Sequence, residues 1–347
     1  MNCFELNNTE TILVSEAEMK NIFYKILLKQ GFNEQKALTC AEIFTESSID
    51  GVYSHGVNRF PRFIEDVQKK YVDISADPVL KRNFNGLEQW DGNLGAGPLN
   101  ALHATERAMQ LAQQYGIGCV ALANTNHWMR AGSYGWKAAK GGFVFIGWTN
   151  TIANMPTWNA VDARLGNNPL VIALPFHDEA IVLDMAASQF SYGALEQAAI
   201  RQETLPVDGG YNSKGELTKD PAAIFESKRV LPVGYWKGAG LSLLLDLLAS
   251  ILSSGLSVHE ISKREREYGL SQIFIAIDTS KLMNHSTIKK TVDSIIDDYR
   301  RSIPINESKK VLYPGERVLA TRKKNVQDGI PVLKNIWAKI LSLERET

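Results

Sequence analysis

Asp91-Gly92-Asn93-Leu94-Gly95-Ala96-Gly97 is the stretch on which the fold turns. A doubly wound dinucleotide-binding crossover needs G-x-G-x-x-G between a strand and a helix, with an acid about 20 positions further on. Here the glycines run G-x-x-G-x-G, and no alternating β-run leads into them. The segment reads as a loop with special backbone angles. Any dinucleotide bound by this chain must be held by another architecture.

Outward from that loop the chain alternates between two characters. Downstream, Leu99–Tyr115 is an Ala-rich helix stopped by Gly116, followed by β-like runs at 118–123, 143–148, 170–175 and 180–184. The last two flank Phe176-His177-Asp178-Glu179, a hairpin-length connection that requires an antiparallel strand pair. Gly238-Ala239-Gly240 opens an apolar helix running to Ser254, and Gln272–Asp278 is a further strand. Upstream, Ser15 and Glu18 form a capping box ahead of Met19, Ile22, Phe23, Ile26 and Leu27. Asn33 caps a second helix, and a short third one follows Pro61. Helices resume over 286–300 and 332–343. The expected fold is α/β: a mixed-sheet domain over residues 86–284, and a helical domain built from both chain ends, 1–85 and 285–347.

Bulk properties narrow the function. The 347 residues carry 38 Lys+Arg against 38 Asp+Glu, so no global field favours nucleic acid or anionic lipid, and an anion must be captured locally. The three cysteines, Cys3, Cys40 and Cys119, are scattered, which fits a reducing compartment and neither a disulfide framework nor a zinc site. The first 15 residues hold Glu5 and Glu10 and no apolar run, unlike a secretory signal. The longest apolar stretch, Leu241–Leu252, is interrupted by Ser242, Asp246 and Ser250 and reads as too short and too polar to span a bilayer. A soluble, cytoplasmic protein is expected. The six histidines show no metal-binding spacing, so no metal is expected.

Three segments could carry chemistry. In Ser54-His55-Gly56-Val57-Asn58-Arg59, a histidine able to exchange a proton near neutrality lies four positions before an arginine able to grip a carboxylate with two hydrogen bonds. Helical backbone would put both on one face. A capped loop histidine and a surface arginine satisfy the same spacing. In Asn126-His127-Trp128, His127 sits just past a strand end, where site residues are common and where a satisfied loop histidine is equally at home. Trp236-Lys237-Gly238-Ala239-Gly240 places a cation and small residues at a helix start, a compact anion site unless the lysine merely solvates a loop.

Together with Gly166-Asn167-Asn168-Pro169 and Asp184-Met185-Ala186, these segments resemble, in order and over nearly the whole chain, the type-2 malate/L-lactate dehydrogenase family. The resemblance implies a non-Rossmann nicotinamide-binding fold, a homodimer with the cofactor near the subunit interface, and NAD as cofactor, NADH ahead of NADPH. It implies reduction of a small 2-oxo acid, a sugar acid in the nearest case, with no nucleic-acid or membrane partner. By matching position His55 is the proton donor, with His127 in the same pocket, and Arg59 contacts the substrate carboxylate. Asp184 either orients a histidine or binds backbone. The matching cofactor contacts are Thr151, where relatives often carry serine, then Ala180, Ile181, Val182, Leu183, Asp184, Met185 and Ala186, then Trp236 and Lys237, and finally Gly315, Glu316 and Arg317.

Other readings stay open at this point. The substrate could be a simpler 2-oxo acid (malate, lactate or ureidoglycolate type) or a cyclic imino acid. The chain could also be a non-catalytic sugar-acid binder using the same Arg59 and Lys237.

Overall fold

The computed structural model describes residues 10–281, 285–308 and 310–345. Cys3 and most of the N-terminal extension lie outside the described residues.

Capping chemistry starts the helices at the expected places. Ser15 Oγ accepts from the Glu18 N–H at 3.2 Å and Asn33 Oδ1 from the Lys36 N–H at 2.8 Å, heading the helices Glu16–Lys29 and Glu34–Ile49. Their apolar faces meet the Phe60–Gln68 helix, where Phe23 stacks on Phe60 at 4.0 Å. Ile330, Val332, Trp337 and Ile340 join this core from the other end of the chain. The strands Thr11–Val14 and Ile330–Leu333 pair antiparallel and were not foreseen. Only Lys334–Arg345 of the last segment is helical. Ile330-Pro331-Val332-Leu333 is too short for its periodicity to separate a strand from a helical first turn, and pairing across the whole chain decides it.

The central sheet has seven strands in the order Val79–Phe84, Leu87–Asp91, Ile117–Thr125, Leu270–Asp278, Phe143–Thr149, Leu170–Phe176, Glu179–Met185. Only Leu87–Asp91 and Ile117–Thr125 run parallel. His177 and Asp178 form a two-residue hairpin turn, with His177 at φ 53°. The sheet is mixed, as expected.

One expectation fails at the Gly-rich loop: a strand, Leu87–Asp91, does lead into it, and the helix Gly97–Tyr115 leaves it. The strand was hidden because its inward residue is charged. Glu88 is buried and is satisfied by Arg107 Nε at 2.8 Å and Trp90 Nε1 at 2.9 Å. The loop is nonetheless filled by protein. Asn126 Nδ2 donates to the carbonyls of Leu94 and Gly95, and a Cβ on Gly97 would lie 2.2 Å from the His127 carbonyl oxygen. Gly97 is there for that close approach, not for a phosphate.

The segment 285–347 divides its contacts. Ile296 and Tyr313 pack on Ile181 of the edge strand, whereas Trp337 and Ile340 belong to the helical core. The helix Glu316–Asp328, absent from the sequence reading, bridges the two: Val318 and Leu319 face the sheet-side core, and Asn325 Nδ2 donates to the Ile49 carbonyl at 2.8 Å. The helix Trp236–Ser253 departs from expectation too. Over 18 residues with a mean hydropathy of 1.3 it is, by length and composition alone, apolar enough to cross a membrane. Leu245 and Ala249 pack beneath the sheet, while Leu243, Leu244, Leu247, Leu248 and Ile251 stand exposed in a stripe.

The layers are tied by one carboxylate. Asp50, 6% exposed at the end of the second helix, accepts from Arg130 of the loop after Ile117–Thr125 and from Arg322 of the bridging helix, at 2.6 and 2.9 Å for Arg322. Arg322 also lies over the Trp136 ring at 4.9 Å. Removing one partner of such a network strands the others. Asp50→Ala should therefore lower unfolding free energy by about 3–5 kcal/mol, read from the urea midpoint; a loss below about 1 kcal/mol would show that the tie is incidental.

Candidate active site

The cleft between the helical layer and one end of the sheet has a volume of about 1050 Å³. Its catalytic-type side chains come from two loops. The chain turns out of Glu34–Ile49 into a single 3-10 turn, Tyr53–His55, and Arg59 follows as the N-cap residue of Phe60–Gln68. His55 and Arg59 are therefore not on one helix, but both line the cleft. His127 comes from the loop beyond Ile117–Thr125, and its ring stacks on that of His55 with centroids 5.7 Å apart.

The two imidazoles are held differently. His127 Nδ1 accepts from the Met129 backbone N–H at 3.0 Å. A ring nitrogen that accepts carries no proton, so in neutral His127 the hydrogen is on Nε2. His55 Nδ1 is 2.9 Å from Ser54 Oγ, a partner that can donate or accept. Burial, then the Arg59 and Arg130 charges, lower the His55 pKa to about 4. His127 is held well below its ordinary value by burial first, then by Arg59 and His55. Both rings are neutral near pH 7.

After burial, Arg59 is the largest influence on both rings. Half-buried in the cleft wall, its guanidinium makes no hydrogen bond or salt bridge among the described residues, and burial together with Arg62 outweighs the more distant Glu267 and Asp66 and lowers its pKa to about 10, still a full cation at neutral pH. Buried arginines are ordinarily paired. A cleft-lining arginine with no carboxylate bonded to it, beside two neutral imidazoles, has the chemistry to receive an anion.

A profile of the malate/L-lactate dehydrogenases matches residues 14–341. This chain belongs to the malate/L-lactate dehydrogenase family. It is 44% identical over 331 residues to a 2,3-diketo-L-gulonate reductase of Klebsiella pneumoniae (strain 342), covering 95% of this chain and 99% of that protein. Among solved structures, a malate dehydrogenase from Entamoeba histolytica superposes with a TM-score of 0.92 at 25% identity, covering 97% of this chain and 98% of that one. A sulfolactate dehydrogenase from Methanocaldococcus jannaschii does so with a TM-score of 0.85 at 27% identity, covering 96% of both. As a member of this family, the chain is an oxidoreductase of 2-hydroxy and 2-oxo acids that uses a nicotinamide cofactor.

The dehydrogenase's cleft gathers most of the residues singled out in the sequence. His55, Arg59, His127, Thr151, Val182, Leu183, Asp184, Ala186, Gly315 and Arg317 line it. Ala180 and Ile181 are buried further along the same strand, and Met185 is half-buried at its end. Glu316 is engaged by Arg300 at 2.8 Å and is not among the lining residues. Nor are Trp236 and Lys237, although the helix they start packs Gly238 against the Ala187 carbonyl, next to Ala186. Asp184 holds no histidine. Its Oδ2 accepts from the Gly132 N–H at 2.8 Å, and although the residue is exposed in the cleft, desolvation by the surrounding protein raises its pKa against the opposing pull of Arg130 and that N–H. Among the described residues no group of three or more His, Cys, Asp or Glu could hold a metal.

Several lining residues were missed: Ser54, Arg130, Asn154, Asn167 and Glu267. Ser54 and Asn167 lay inside quoted motifs, but Asn154 and Glu267 reach the cleft from loops whose spacing carries no signal. This lining fits a nicotinamide dinucleotide. It is large and carries cations, and Asn154 Oδ1 is a buried acceptor without a partner.

Proposed function

We propose that this dehydrogenase reduces 2,3-diketo-L-gulonate to 3-keto-L-gulonate with NADH, in the cytoplasm. The observation that carries the reading is the cleft-lining Arg59, with no carboxylate bonded to it, beside His55 and His127. The substrate assignment rests on likeness to the Klebsiella reductase, and the choice of NADH over NADPH on the family resemblance read in the sequence. When bound, the nicotinamide supplies the hydride. Arg59 holds the substrate carboxylate with two parallel hydrogen bonds and fixes the 2-oxo carbon in the cleft. Val182–Asp184 and, packed beside them, Gly315 and Arg317 line the cleft and would hold the cofactor.

The roles of the histidines follow from their hydrogen bonds. His127, with Nδ1 committed to Met129, can offer its Nε2–H to the carbonyl oxygen but cannot release that proton without becoming an anion. His55 is free to protonate, because Ser54 Oγ accepts from an Nδ1–H as readily as it donates to a bare nitrogen. An anion at Arg59 offsets the charge that disfavours imidazolium at His55. Substrate binding thus charges the acid that the reaction consumes, and His55 gives its proton to the nascent alkoxide at C2.

His55→Asn should lower kcat by about 10²–10⁴-fold with NADH binding little changed, and Arg59→Lys should mainly raise KM. The assay is a panel of 2-oxo acids, including 2,3-diketo-L-gulonate, with NADH and with NADPH. Wild-type turnover in His55→Asn would overturn its assignment as the proton donor. A wild-type enzyme preferring malate-type acids would reject the substrate.

We also infer a homodimer. The exposed stripe from Leu243 to Ile251 is an apolar face of a kind that a second copy would cover rather than water. Light scattering at micromolar concentration should give twice the chain mass, and Leu244→Glu with Leu248→Glu should shift it to monomer. A monomeric wild type would reject the dimer.

A further inference from the structure

Two asparagines in the cleft leave a specific pattern of hydrogen-bonding groups, one that the chemistry at Arg59 and the histidines does not use. Asn154 Nδ2 and Asn167 Oδ1 are 3.0 Å apart and bonded to each other. Each carboxamide has a donor end and an acceptor end. Whichever of the two donates in this bond, the ends left over are one donor and one acceptor, side by side. As drawn, Asn167 Oδ1 also accepts from Thr151 Oγ1 at 3.2 Å, which leaves the Asn167 Nδ2 hydrogens and Asn154 Oδ1. Asn154 Oδ1 is shut off from water and has no partner. Few buried acceptors in native proteins are left so, and a ligand is one of the standard reasons.

The backbone pins both residues. The Asn154 N–H donates to the Leu165 carbonyl at 2.9 Å, and its carbonyl accepts from Tyr192 Oη at 2.9 Å. The Asn167 carbonyl accepts from the Ala187 N–H at 2.7 Å. Tyr192 is followed by Gly193, which approaches Ser54 so closely that an added Cβ would lie 2.6 Å from Ser54 Cβ. Ser54 is the partner of His55. Tyr192, Gly193 and Ser54 thus link the asparagine pair to the proton donor within one cleft.

A donor and an acceptor side by side complement a primary carboxamide, which offers one C=O and one NH2 in a plane. In a dihydronicotinamide the carboxamide is on C3, next to the C4 that releases hydride, so the protein groups that read it must stand close to the proton donor. We propose that Asn154 and Asn167 grip the nicotinamide carboxamide and so set the ring's rotation, and with it the face from which hydride leaves. This rests on the oxidoreductase reading above. Thr151, which binds Asn167, acts one step behind as a positioning residue.

The test compares NADH with its reduced 3-acetylpyridine analogue, in which a methyl replaces the amide nitrogen and the donor is lost. Dissociation constants from calorimetry are needed for wild type, Asn154→Leu and Asn167→Leu, with melting curves to confirm folding. Asn154→Asp is a second variant of the first position that keeps an oxygen acceptor. Wild type should bind NADH roughly tenfold more tightly than the analogue. Each leucine variant should lose roughly tenfold in NADH affinity and most of the preference. Wild type that binds NADH without any preference, or leucine variants that weaken both cofactors equally, would overturn the assignment. A raised KM for the 2-oxo acid with unchanged NADH binding would overturn it too, by giving the pair to a substrate hydroxyl. Wild type that fails to bind NADH would instead overturn the oxidoreductase reading itself.

Discussion

A cleft-wall guanidinium with no carboxylate bonded to it is the constraint from which the rest of this site follows. Arg59 cannot shed its charge at neutral pH even with its pKa drawn down to about 10, and among the described residues no carboxylate bonds to it, Glu267 and Asp66 acting on it only from a distance. Its field and the surrounding burial keep His55 and His127 neutral. The protein as a whole carries no net charge to attract an acid. On the proposed reading, an anionic substrate is selected by the cleft's own cations, Arg59 together with Arg62, Arg130 and Arg317, and binding at Arg59 relieves part of a desolvation cost that the free enzyme bears. Anion binding, on the same reading, also favours protonation of His55, because Arg59 is, after burial, the largest influence holding that ring neutral.

The fold supplies the enclosure. Helices from both ends of the chain form one wall and the end of a mixed sheet the other, with Asp50 joining Arg130 and Arg322 across the seam. Gly97 lets the helix Gly97–Tyr115 start directly beneath the His127 backbone, which sets the ring where it can stack on His55. The Gly-rich loop that resembles a phosphate cradle is thereby a packing device, and the cofactor has to lie elsewhere in the cleft.

Local chemistry was legible in the sequence, and long-range pairing was not. Ser15, Asn33 and the His177-Asp178 turn act through neighbours a few residues away, so their roles can be read in order along the chain. Thr11–Val14 and Ile330–Leu333 are strands only because they meet each other, and Leu87–Asp91 hides a fully buried Glu88 whose partner, Arg107, lies 19 residues on. At the site, His55 and Arg59 stood out by type and spacing, although a 3-10 turn and a helix cap bring them together rather than one helix face. Ser54 was in plain view but had no role until its distance to His55 was known. Asn154 and Glu267 come from segments that only the folded chain makes neighbours. Lys237 was attractive because a helix start favours anions, yet it is exposed, and local attraction of that kind says nothing about which cleft it faces.

The coupling between Arg59 and His55 can be measured directly. Carbon-detected NMR of the His55 ring, titrated from pH 8 to 3.5, should give a pKa of about 4 in the free enzyme. With NADH and saturating oxamate, an unreactive 2-oxo acid mimic, the account predicts a rise toward the ordinary imidazole value of about 6.5. The His55 ring would then take up a proton as the anion binds, and more readily as the pH falls toward that raised value. A free-enzyme pKa already near 6.5, or one that stays put when oxamate binds, would contradict the claim that substrate capture at Arg59 arms the proton donor.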